Sequence, residues 1–210
     1  MTALNFLIQK EQICIAMDTL SLSADDRDPL AYATKFIALP HVDMVVSGTG
    51  NGQVINEWMA LVRSKIVITD IEHLNEYAPN SLAKIMDKYV ENEEITATIY
   101  HFGYSQARER FVGYAFRSIN DWIPEELPSD SIGIKPNIKY NVGAEFQLPL
   151  SFIELISRQR ELDLELPHEE RVGIGGDIHF VHMNGNGINI SKCHRFSSYE
   201  EDYEKMCENL

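Results

Sequence analysis

Apolar positions fall along the chain in short runs of two different periods, and these runs lay out the elements. "TALNFLIQ" and "QICIAMDT" are both apolar, free of Pro and Gly and separated by the polar "QKE", a pattern that predicts an antiparallel hairpin. With the turn near Lys10, partner numbers sum to about 20, so Thr2 falls opposite Asp18. "DDRDP" (25–29) reads as a loop, "KFIALP" as a short strand and "VDMVVSGTGNG" (42–52) as a strand entering a Gly-rich turn. The period then changes. Val54, Trp58 and Leu61, flanked by Ile55 and Met59, mark a helix, and Leu82, Ile85, Met86 and Tyr89 mark a second within 80–94, with Asn80 or Ser81 as its cap.

"ITATIYHFGYS" (95–105) and "RFVGYAFRSI" (110–119) predict another strand pair closed over "QARE", and the Pro-rich, polar stretch 120–148 reads as an irregular excursion. A helix over 149–162 carries Phe152, Leu155, Ile156 and Leu162 on its apolar side. "GGDIHFVHM" and "GINISKC", joined at "NGNG", form a hairpin because Asn-Gly suits the positive φ of a tight turn. A short acidic helix follows, with Ser198 and Glu201 spaced as a capping box. No repeat, low-complexity tract or linker divides the chain, so a single domain is expected over 1–210. The order of elements predicts an α+β fold of two mainly antiparallel sheets with helices outside them.

Composition narrows the function. Hydrophobic residues make up 44% and charged residues 24%, which suits a chain that folds on its own. Acidic residues number 32 against 18 basic, a net charge of -14, and such a surface repels phosphate backbones and anionic lipid. Neither nucleic acid nor a membrane is therefore an expected partner. No apolar run approaches the ~20 residues of a membrane span, and no basic stretch and apolar core follow Met1, so a cytoplasmic location is expected. Cys14, Cys193 and Cys207 show no CxxC spacing and read as reduced thiols.

Metal and cofactor chemistry find little support. His179 and His182, three apart in a strand, point to opposite faces, and His194 merely adjoins Cys193. "SGTGNG" lacks the lysine of a phosphate-binding loop, and no calcium-loop pattern is present. No cofactor and no metal are expected.

The chemistry that remains lies at the start of the chain. A threonine hydroxyl needs a base, and a threonine that becomes N-terminal by loss of Met1 carries one in its α-amino group, whose reference pKa is roughly 7.7–8.0. Such a site needs a cation near the amine, a carboxylate to hold the cation and an N–H group for the oxyanion. Lys35, Asp18 and Gly48 supply one of each. If Met1 stays, the Thr2 nitrogen is an amide with no useful basicity.

These residues resemble the N-terminal-nucleophile hydrolases of the proteasome β-subunit type, including bacterial proteasome-like peptidases that begin Met-Thr. Thr2, "AMDT" with Asp18, "KFI" with Lys35 and "SGTGNG" with Gly48 follow the family's order over residues 2–60. The resemblance implies a four-layer αββα sandwich, cleavage of a peptide or small amide through an acyl-enzyme on Thr2, and a homo-oligomer of ring type. Three places depart from the pattern. "SIGIKP" (131–136) replaces the family's serine-bearing turn, Arg171 and Ile174 stand where its Asp and Ser would be, and Leu20 follows Thr19 in place of an arginine. A catalytically silent scaffold or binding subunit of the same fold is the alternative, and an unrelated α+β binding protein a third.

Overall fold

The structure is a computed structural model that describes residues 2–23, 25–64, 67–89, 95–139 and 146–208. Strands β1 (Leu4–Ile8) and β2 (Gln12–Asp18) form the expected hairpin with one correction. Leu4 pairs with Met17 and Ile8 with Ile13, so partner numbers sum to 21 and the residue facing Asp18 is Ala3 rather than Thr2. The cause is the turn, which closes with Gln9 N–H donating to Gln12 O at 2.9 Å.

A small hairpin of β3 (Leu20–Leu22) and β4 (Pro29–Tyr32) follows, then β5 (Phe36–Leu39) and β6 (Met44–Gly50). Helix α1 (Gly52–Ser64) leads to α2 (Ile71–Met86), and the chain returns through β7 (Ala97–Ser105), β8 (Arg110–Arg117) and the short β9 (Glu125–Glu126). Strand β10 (Ser131–Lys135), α3 (Leu150–Leu164), the hairpin β11 (Asp177–Asn184) and β12 (Gly187–Arg195), and α4 (Tyr199–Glu208) complete it. One five-stranded antiparallel sheet runs β10-β1-β2-β11-β12 and the other β5-β6-β7-β8-β9. The α+β class with antiparallel sheets is thus as expected.

Strand alternation assigns each face its partner. Ile13, Ile15 and Met17 of β2 meet Tyr100, Phe102 and Ala115 between the sheets, while Cys14 and Ala16 on the other face pack with Phe152, Leu155 and Ile156 of α3. On the far side, Val54 and Trp58 of α1 and Leu74 and Leu82 of α2 cover Val46, Ile99 and Phe116. The layers therefore run helix pair, sheet, sheet, helix.

Several elements differ from the pattern-based expectation. Helix α2 starts nine residues earlier than expected, at Ile71 rather than 80, capped by Asp70, whose carboxylate accepts His73 N–H at 3.0 Å. It runs through Pro79, because its buried stripe Ile71, Leu74, Ala78, Leu82 and Ile85 outweighs the missing backbone bond. It ends at Met86, and positions 90–94 of the predicted helix lie outside the described residues. The stretch 120–148 is not wholly irregular: β9 pairs with β8, and β10 edges the first sheet beside β1, with 140–145 outside the described residues. The capping box at Ser198 does not form, since Ser198 Oγ donates to Asp202 and Glu201 pairs with Lys205. Among the described residues no helix is long and apolar enough to cross a membrane.

Candidate functional site

Asp18 ends β2 and is the most enclosed carboxylate of the region, with no exposed side-chain surface. Three donor groups converge on it in four hydrogen bonds. Lys35 Nζ lies 3.0 Å from both oxygens, Ala3 N–H donates to Oδ1 at 2.9 Å, and Gly175 N–H donates to Oδ2 at 3.2 Å. Lys35 sits one residue before β5 and also donates to Leu20 O at 2.5 Å. A carboxylate buried this deeply is tolerated only with its lone pairs occupied and a counter-charge in contact.

Burial pushes the Asp18 carboxyl above the usual carboxylate range, opposed by the Lys35 charge and by the Ala3 and Gly175 N–H groups. Burial likewise pushes the Lys35 ammonium down, and Asp18 opposes that shift. Burial thus disfavours either charge alone, and the mutual contact of the pair opposes that effect in both groups.

Gly48 lies on β6, where two glycines serve different ends. A Cβ on Gly48 would stand 2.8 Å from the Ile55 side chain, so glycine here lets α1 approach the strand. Gly50 has φ 101°, and a Cβ there would lie 2.3 Å from Thr96 O, so only glycine turns the strand toward the helix. Asn51 then caps α1, its Oδ1 accepting Gln53 N–H at 3.0 Å and Val54 N–H at 3.1 Å. Strand β5 pairs with β6 only from Met44 to Ser47, and among the described residues no other strand covers that edge of β6 beyond Ser47. A cleft of about 770 Å³ opens there.

Thr2, Lys35 and Gly48 all line this cleft, and Thr2 is only 7% exposed. Thr2 also lines a second, smaller cleft of about 210 Å³ with Thr49, Gly50 and Lys135. The four residues singled out in the sequence are therefore brought together: three line one cavity, and Asp18 stands behind Lys35. Met1 lies outside the described residues.

Other residues of the site escaped the sequence reading. Asp163 is buried on α3 and accepts Val172 N–H at 2.6 Å and Gly173 N–H at 2.9 Å, tethering the loop whose Gly175 reaches Asp18. Its signal was its place in the stripe Phe152, Leu155, Ile156, Gln159, Asp163, which α3 buries together with Ser151; Leu162, expected there, is only half-buried. Thr19 secures the same loop, donating its N–H to Gly175 O at 3.2 Å and accepting Asp177 N–H at 2.8 Å. Two of the residues that depart from the pattern this chain resembles, Arg171 and Ile174, also find places. Arg171 donates to Leu164 O and Leu166 O at the end of α3, and Ile174 is buried in the α3 core.

The histidines behave as expected of a strand pair: His182 pairs with Gln12 while His179 meets Phe36 edge-on. Among the described residues no cluster of three His, Cys, Asp or Glu could hold a metal ion. No family model matches the chain, and no curated protein matches it in sequence.

Proposed function

We propose that the chain is an N-terminal-threonine amide hydrolase of the proteasome-like type, acting on a peptide or small amide once Met1 is removed. The observation that carries this reading is the buried Thr2 sharing a cleft with Gly48 and with a Lys35 locked onto Asp18. In the proposed reaction the Thr2 hydroxyl oxygen attacks the substrate carbonyl carbon and the α-amino group accepts its proton. The Lys35 charge disfavours the protonated amine and so keeps it a base. The oxyanion is received by the Gly48 N–H, and the amine returns the proton to the departing nitrogen as the C–N bond breaks. Water then cleaves the acyl ester by the same proton path in reverse. A homo-oligomeric ring belongs to this proposal through the family resemblance.

The test is the intact mass of untagged protein before and after a threonine-directed epoxyketone or β-lactone. Loss of Met1 with a single adduct that Thr2→Ala abolishes is the expected result. Retained Met1 with no adduct overturns the mechanism.

A second reading is favoured by Arg171 and Ile174. Arg171 is held by the Leu164 and Leu166 carbonyls and Ile174 lies in the core, so neither supplies the polar group that the family places there. On that reading the chain is a catalytically silent scaffold or binding subunit, and the same mass measurement separates the two.

A further inference from the structure

The large cleft has a charge opposite to that of the protein around it. The chain carries -14 overall, yet the described residues lining the cleft include Arg27, Lys35 and Lys88 and no carboxylate. Two of these cations are matched, Lys35 by Asp18 and Lys88 by Glu57. Arg27 is not. Among the described residues it has no carboxylate within ion-pair distance, although Asp25, Asp26 and Asp28 flank it in sequence.

Backbone geometry separates Arg27 from those acids. Arg27 adopts φ 62°, and Asp26 turns to its own loop, accepting from Ser23 Oγ and from Asp28 N–H at 3.1 Å. Arg27 lines the cleft; none of the three acids does. One nitrogen, Nη2, donates to Arg171 O, which anchors the group, while the buried Nε has no acceptor. A planar donor fork that is anchored, half-buried and short of acceptors is suited to a carboxylate. The amino end of α1, through Gly52 and Gln53, adds its partial positive charge to the same cleft.

We propose that the cleft takes a ligand bearing a carboxylate and that Arg27 receives it. This rests on reading the cleft as the substrate site, and makes the substrate a peptide or small amide with an acidic group beside the bond presented to Thr2. The surrounding negative charge lowers the concentration of anions near the protein, so a local cation of this kind selects among them rather than gathering them generally.

The experiment is calorimetric binding to the Thr2→Ala variant, which removes turnover from the measurement. The probes are three acetylated alanine tripeptide amides with Glu at the first, second or third position, and their three Gln counterparts. One Glu peptide is expected to bind about tenfold or more tightly than its Gln twin. Arg27→Met erases that preference with the melting temperature of the protein preserved, and Arg27→Lys, keeping charge but not the fork, retains part of it. No Glu preference at any position, or a preference unchanged by Arg27→Met, overturns the proposal. If Arg27→Met does not fold, a preference undiminished in Arg27→Lys does the same. Failure of the hydrolase reading looks different: no Thr2 adduct, with the Arg27-dependent Glu preference intact, leaves a carboxylate-binding cleft without catalysis.

Discussion

Two buried polar clusters flank the second sheet, and they solve the same problem in different ways. Under the helix pair, Trp58 Nε1 donates to His101 Nε2 at 3.1 Å, which fixes the ring proton on Nδ1, and Nδ1 donates to Asn75 Oδ1 at 2.8 Å. That cluster is neutral and sealed in the apolar layer; burial alone pushes His101 down to about 3. At the strand ends, Asp18 and Lys35 form an ion pair, Asp18 fully enclosed and the Lys35 side chain 9% exposed, that opens onto a cleft through Lys35. A sealed neutral network specifies packing, whereas a charged pair beside a cavity keeps an electrostatic field where a ligand can meet it. The contrast is one of access and charge, not of burial.

The largest effect that tests this contrast is on the charged pair. Lys35→Met strands the Asp18 carboxylate and should lower stability by about 3–5 kcal/mol in urea denaturation at pH 7. A loss below about 1 kcal/mol would mean that the pair is far more solvated than its geometry implies.

Acid sharpens the neutral side. The folded pKa of His101 lies at about 3, below the unfolded value of ~6.5, so between them the unfolded chain binds the extra proton. Stability is therefore full above ~6.5 and falls by about 1.4 kcal/mol per pH unit as pH drops toward 3, or about 3 kcal/mol between pH 7 and pH 4. His101→Gln, which can still accept from Trp58 and donate to Asn75, should lose that share of the acid sensitivity. Parallel urea midpoints for both proteins at pH 7 and pH 4 measure it, and equal slopes would show that His101 is not held neutral.

Asp163 links α3 to the charged cluster through the 172–175 loop. Asp163→Asn replaces one charged acceptor with a donor facing an N–H, and should cost about 2 kcal/mol. Hydrogen exchange should quicken at Val172 and Gly173 before it does in β2. Uniform acceleration across the chain would instead mark a global effect with no special hold on the loop.

The smallest effect is the control. Lys88 and Glu57 form an ion pair at the cleft rim, but the Lys88 side chain is 56% exposed. Lys88→Met should change stability by no more than about 0.5 kcal/mol, against several for the same substitution at Lys35. Comparable losses at both positions would dissolve the distinction drawn between depth and surface.

Much of this arrangement was legible in the chain, unevenly. The hairpin "NGNG" became the turn of β11 and β12, and the apolar run over 53–62 became α1, because turn chemistry and helical period act over a few residues. Helix α2 begins before the predicted stretch and runs through Pro79, whose local cost burial of Ile71 and Leu74 overcomes. Strand β10 was hidden in a polar stretch, since its partner β1 lies more than 120 residues away and an edge strand needs little apolar pattern.

For the site, sequence determined the kinds of group available: a threonine, a carboxylate, a lysine and a small-residue turn at suggestive spacing. Tertiary structure decided their relations. It set Asp18 opposite Ala3, brought Gly175 from 157 positions away to the same carboxylate, and left Arg27 on the cleft wall apart from the acids beside it. Residue identity sets what a group can donate, accept or carry as charge, and is written locally. Desolvation and contact depend on which distant segments exclude water, and only the folded packing supplies those.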